Sequence, residues 1–309
     1  MSFTTATPIA PEAIPRLRRG RVQVADLLPR LVLAPSFAIV LVFVYGFIGW
    51  TIVLSFTRSR MMPLYQFTGF DSYVRLWSQP NWYMALHNIG IFGVLYIAFC
   101  TTLGLLLAIL LDQRIRAEGV LRTIYLYPMA ISFIVTGTAW KWFLNPGLGL
   151  ERTMHAWGWT GFHFGWLIST RMAIYTVVIA GVWQAAGFCM AMFLAGLRGI
   201  DGEILKAAQI DGASTVATYR RIVIPMLRPV FLSVVIVLAH MAIKSYDLVI
   251  ALTGGGPGNA TELPSTFMYS YTFSRDQMAV GAASAVIMLM TIAAVIVPYL
   301  YSELRERPR

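Results

Sequence analysis

The chain has 309 residues, 58% of them hydrophobic and only 12% charged, with a formal net charge of +10. Ordinary globular chains hold roughly 45–50% and about 25% of those two classes, so a pair of soluble domains is excluded. The excess lies in six charge-poor apolar runs, Leu31–Thr57, Asn88–Leu111, Thr123–Trp140, Met172–Leu197, Pro229–Leu252 and Gln277–Tyr301. Each reaches the roughly 17–25 residues that a helix needs to cross a bilayer. The predicted fold is all-α and polytopic, with six transmembrane helices.

In chain order, residues 1–30 precede the first run. The segment through Gly20 is rich in Pro, Ala and Arg and reads as a disordered cytoplasmic arm meeting anionic membrane lipid. No long apolar stretch there marks a cleaved signal, so the first run is expected to be its own targeting anchor. Residues 31–301 form the membrane domain and 302–309 a short tail. No connection between runs exceeds 31 residues, too few for an independent core. A catalytic or nucleotide-binding domain on this chain is thereby excluded. Lys and Arg are uneven: the N-terminus, the second and fourth connections and the C-terminus carry 16 on 80 residues, the other three connections 7 on 85. Such residues accumulate on the cytoplasmic side, which predicts cytoplasmic termini. The positive charge then reports orientation rather than nucleic-acid binding.

Cys100 and Cys189 fall inside runs and read as packing residues, not a disulfide framework. No metal-ligand spacing joins His87, His155, His163 and His240, so neither a metal nor a catalytic residue is expected. The third connection crowds His155, Trp157, Trp159, Phe162, His163, Phe164 and Trp166. These rings suit an interfacial belt or, alternatively, stacking on a sugar. The fifth run breaks its apolarity with His240, Lys244 and Asp247, whose spacings of four and three share one face of a continuous helix. Either Lys244 and Asp247 neutralise each other, or the three line a polar pathway, since ionisable groups in a bilayer need water or a partner. Ser132 and Gln184 are candidates for the same pathway. After the fifth run, Gly254, Gly255, Gly256 and Pro257 form a turn whose glycines can bring backbone close to a partner; a plain reverse turn is the simpler reading.

The fourth connection, 198–228, reads RGIDGEILKAAQIDGASTVATYRRIVIPMLR. Glu203–Ile210 has helical composition, Gly212 suits a left-handed helix end, and Ala213 and Ser214 suit the start of a second short helix over Thr218–Ile224. Pro225 punctuates the approach to the fifth run. Two short helices joined by a glycine turn make a bracket, unless the segment is merely a basic interfacial loop.

The stretch LKAAQIDGASTVATYRRIVIPMLRP resembles the EAA loop of binding-protein-dependent ABC importer permeases, with Ala207, Ala208, Asp211, Gly212, Ala213, Ile222 and Pro225 matching. Lys206 stands where that family usually has Glu; Glu203, on the same helical face, can partly substitute. FTGFDSYVRLW, LRTIYLYP, WKWFLNPGLG, FLAGLRGI and TGGGPGNAT extend the likeness to the MalF-type carbohydrate group and, within it, to proteobacterial glucose/mannose importer permeases. The resemblance implies a MetI/MalF-like permease fold in the bacterial inner membrane. It also implies transport of a sugar, glucose or a related hexose, by alternating access, or of a polyol or α-glucoside. Its implied partners are a homologous second permease, a dimer of ATP-binding subunits gripping the EAA loop, and an external solute-binding protein at the glycine turn. The chain itself carries no cofactor and is no enzyme; ATP and Mg belong to the ATPase. A gradient-driven secondary transporter would instead show an inverted internal repeat, and none is visible. A membrane scaffold would not need the charged stripe.

Overall fold

The computed structural model describes residues 24–113 and 116–306, and two compact units divide the chain after Trp50. Most of the expected N-terminal arm (1–23), together with Arg114 and the last three residues of the tail, lies outside the described residues. In the first unit, α1 (Val24–Val40) runs through a π turn (Leu41–Tyr45) into α2 (Gly46–Ser55), which ends in the second unit. Val42, Tyr45 and Phe47 are all exposed, as expected of an apolar helix facing lipid.

The second unit continues with α3 (Asp71–Trp77), α4 (Pro80–Asp112), α5 (Glu118–Ala130), α6 (Phe133–Phe143), α7 (Leu150–Ala156) and α8 (Ala173–Arg198). There follow α9 (Gly202–Ile210), α10 (Thr215–Thr218), α11 (Ile224–Met226), α12 (Arg228–Ile243), α13 (Asp247–Leu252), α14 (Pro264–Tyr269) and α15 (Met278–Glu306). At its centre is α8, apolar on every side and buried along most of its length, packed on α4 and α5. Small residues permit the close approach that membrane helices rely on. A side chain at Gly187 would strike the Tyr125 carbonyl of α5, and one at Gly104 the Cys189 backbone. Cys100 and Cys189 are unbridged and fully buried in this contact, as expected of packing residues. A smaller core of Trp82, Phe267, Tyr271 and Val280 ties the start of α4 to α14 and α15.

Four helices are long and apolar enough to cross a membrane unbroken: Val32–Ser55, Pro80–Asp112, Ala173–Arg198 and Met278–Pro298. The remaining two expected spans are not straight. The third bends by 99° between α5 and α6, where Pro128 sits in the last turn of α5 and Ser132 accepts the Ile134 N–H as the cap of α6. For the fifth, the sequence predicts one helix over Pro229–Leu252. Instead α12 stops at Ile243 and α13 starts at Asp247, and a 64° bend precedes α12. The second halves of both broken spans, α6 and α13, pack together, with Gly137 directly against Ala251.

Candidate functional site

The interruption between α12 and α13 opens onto a cavity of about 280 Å³. Non-helical backbone within a membrane protein is tolerated where it is buried in protein or lines a wet cavity. His240, Lys244, Ser245 and Asp247 line one part of it, and Phe92, Tyr96 and Phe133 bring aromatic faces. Ser265 Oγ donates to the Ser245 carbonyl at 2.6 Å, and the Tyr246 ring packs on Tyr269 at 4.8 Å, fixing the interrupted strand of chain.

The break also explains how two charges sit here. Lys244 is the C-terminal cap of α12, its N–H donating to the His240 carbonyl, and Asp247 is the first residue of α13. A cation at a helix C-terminus and an anion at an N-terminus are each favoured by the helix dipole. Among the described residues no ion pair joins Lys244 to Asp247. The expectation of one continuous helix is corrected: α12 stops before Lys244 and α13 starts at Asp247, and His240, Lys244 and Asp247, all exposed, line the cavity from both sides of the break. Ser132 and Gln184 do not line this cavity. Ser132 caps α6, and Gln184 Nε2 donates to the Ile131 carbonyl at 2.8 Å, so both secure the α5–α6 bend that sets Phe133 in place.

The loop after α8 is the bracket that its sequence predicts. Asp201 caps α9 by accepting the Glu203 N–H, Gly212 turns the chain at φ +74°, and Ser214 caps α10 by accepting the Ala217 N–H. The second arm is longer than expected, helical from Thr215 to Met226 through a π turn. The sharp bend falls at Leu227, two residues beyond Pro225. Ala208 is buried, Ala213 and Pro225 are half-buried, and Glu203, Lys206, Ala207, Asp211 and Gly212 are exposed. Arg198 anchors the loop's start to Glu118 at 2.5 Å and to Asp112 at 3.9 Å. Two residues missed by sequence reasoning stand out at the joint: Ile210 is 86% exposed and Val216 76%. Their signal was available, as aliphatic residues flanking a glycine turn in an otherwise polar loop.

At the other end of α8, Gly254, Gly255, Gly256 and Gly258 all take positive φ, as does Asn259. A side chain on Gly256 would meet Thr261 at 2.8 Å. The turn is closed by the Thr261 N–H donating to the Gly255 carbonyl at 2.8 Å and by a 2.6 Å bond between the Thr253 and Thr261 hydroxyls. Gly254 is exposed, whereas Gly255, Gly256 and Pro257 are half-buried. Next to it Glu262 is buried, its carbonyl accepting from Asn88 Nδ2 at 3.0 Å. Its Oε2 is buried without a hydrogen-bond partner, and burial pushes the carboxyl pKa up to about 7. In the third connection, Glu151 accepts from the Phe164 N–H and lies beside His163, which hold its carboxyl below the usual range. The four histidines predict no metal site by spacing. The fold nonetheless groups Glu151 with His155 and His163, a set hidden from a comparison of histidines alone.

A helical membrane protein with broken spans beside a cavity of mixed charged and aromatic lining and a bracketed loop at one end has the architecture of an importer permease. The family described as "Binding-protein-dependent transport system inner membrane component" matches residues 100–306, and the chain belongs to it. A probable ABC transporter permease protein of Pyrococcus horikoshii is 40% identical over 273 residues, covering 88% of this chain and 94% of that protein. The xylose/arabinose import permease protein XacH of Haloferax volcanii is 34% identical, covering 87% and 86%. The crystal structure of a bacterial ABC transporter involved in the import of the acidic polysaccharide alginate has the same fold, with a TM-score of 0.78 at 20% identity, covering 92% and 98%. The chain is thus an integral inner-membrane ABC importer permease, a transport component rather than an enzyme.

Proposed function

We propose that this permease carries a monosaccharide, glucose or a related hexose, through the cavity at the α12–α13 break. The observation that carries this reading is the lining: His240, Lys244 and Asp247 offer hydroxyl groups both donors and acceptors, opposite the aromatic faces of Phe92, Tyr96 and Phe133. A volume of about 280 Å³ falls just below the ~300–1,000 Å³ of small-molecule sites, which suits a single sugar ring and nothing larger. The relative whose name gives xylose and arabinose as its cargo supports a monosaccharide. A homologous second permease completes the pore, and an external solute-binding protein delivers sugar at the Gly254–Pro257 turn. Two ATPase subunits, holding ATP and Mg, grip the 198–228 loop through Glu203, Lys206, Ala207 and the exposed Ile210 and Val216. Both termini are then cytoplasmic, consistent with the bias of Lys and Arg. ATP-driven closure of the ATPase pair moves the two loops together and opens the cavity outward; hydrolysis resets it.

Co-purification of the chain with an ATPase and a second permease, followed by reconstitution with the binding protein, tests this. Hexose uptake that needs ATP, exceeds polyol and α-glucoside uptake and persists without an ion gradient is expected. Uptake that collapses with the gradient while ATP is present would overturn it.

A further inference from the structure

We propose that Glu151, His155 and His163 form a binding site for a divalent transition-metal ion, Zn²⁺ above all, that clasps the connection between α6 and α8. Glu151 and His155 stand four residues apart on α7, and that spacing places both on one helical face. Gly158, at φ +94°, turns the chain so that His163 comes back alongside. One ligand atom from each of the three lies within 4.8 Å of the others. Within the set, His163 Nδ1 and Glu151 Oε1 are 3.2 Å apart. Bonds of roughly 2.0–2.1 Å at a tetrahedral ion separate neighbouring ligand atoms by about 3.3 Å, so this pair is already at its bound spacing. The third ligand, His155, stands within 4.8 Å of the others and would move inward to complete the set.

The surroundings are also those of a ligand set. The second oxygen of Glu151 is held by the Phe164 N–H at 3.1 Å, and His155 Nε2 lies 2.7 Å from the Phe162 carbonyl oxygen. With its proton on Nε2, His155 keeps a lone pair on Nδ1; metal-bound imidazoles usually donate their other N–H in this way. Two imidazoles and one carboxylate suit Zn²⁺ and leave a fourth position for water. Mg²⁺ and Ca²⁺ prefer oxygen ligands and fit poorly. His163 is 75% exposed and Glu151 15%, so an ion enters past the histidine and reaches a carboxylate already set in place. The ion would bridge residues twelve apart and fix a loop that carries exposed Trp157 and Trp159.

The test is titration of the full chain, purified in detergent without a histidine tag, with Zn²⁺ by calorimetry and metal analysis. One ion per chain is expected, with affinity at least tenfold weaker in His163→Gln and saturable binding lost in the His155→Gln, His163→Gln double variant. Zn²⁺ should raise the Tm of the wild type and not that of the double variant, while Mg²⁺ raises neither. Because His163 is exposed, His163→Gln alone keeps the fold and gives a clean comparison. Failure of the wild type to bind near one equivalent, or equal binding by the double variant, would show that the three side chains form a hydrogen-bonded clasp and no metal site.

Discussion

The two ends of α8 lead into loops of opposite construction. After Arg198, two short helices meet at Gly212 with Ile210 and Val216 turned outward. Before Ala173, and in the glycine turn beside it, most polar groups pair within the chain, Thr261 to Gly255, Thr253 to Thr261, Asn88 to Glu262 and Phe164 to Glu151, while Glu262 Oε2 stays unpartnered and Trp157 and Trp159 are exposed. Burying an aliphatic side chain is worth roughly 1.5–3 kcal/mol relative to leaving it in water. An apolar pair held out at a joint suits the docking surface proposed above for the ATPase, whereas the opposite loops close most of their hydrogen bonds within the chain.

The largest effect should follow from breaking the joint itself. Gly212→Pro imposes φ near −65° where the chain needs +74°, and removes the N–H that donates to the Gln209 carbonyl. ATP-driven uptake should disappear while membrane insertion persists, as vesicle uptake and membrane extraction would report. Ile210→Asp sharpens the same contrast. Its side chain touches little in the isolated chain, so the Tm should stay within about 1 °C, yet ATPase binding should weaken tenfold or more, about 1.4 kcal/mol. A loop that is merely interfacial would leave ATPase binding unchanged. At the internally finished end the expected effect is smaller and appears in stability. The Glu262 carboxyl titrates near 7 when folded against an ordinary 4.5. Between those values the unfolded chain releases a proton that the folded chain keeps, so stability falls as pH rises from about 4.5 to 7 and stays low above. Glu262→Gln should therefore raise the Tm by about 2–4 °C at pH 8 and leave it unchanged at pH 4.5, as thermal unfolding at the two values would measure.

Much of this was legible in the sequence. Span length follows from apolar runs, and the bracket follows from Asp201, Gly212 and Ser214, because caps and left-handed turns are local chemistry. The broken spans were not, since periodicity assumes the helix it is used to find. Pro128 and the polar sequence Lys244-Ser245-Tyr246 were the available signs. The spacing of Lys244 and Asp247 predicts a continuous face, whereas the two stand on either side of a gap between two helices. Glu151, His155 and His163 escaped because their meeting depends on the turn at Gly158.

The central claim, that sugar passes at the break between α12 and α13, is tested most directly by Lys244→Met with Asp247→Leu. Each charge sits at its own helix end and, among the described residues, no ion pair joins them, so the double variant should assemble and keep its ATPase activity. The measurement is hexose uptake in reconstituted vesicles, divided by the amount of assembled complex. A fall of tenfold or more, with ATP hydrolysis within about twofold of wild type, is the predicted result; about 1.4 kcal/mol of lost sugar contacts suffices for it. Uptake at the wild-type rate would contradict the account and remove these residues from the path.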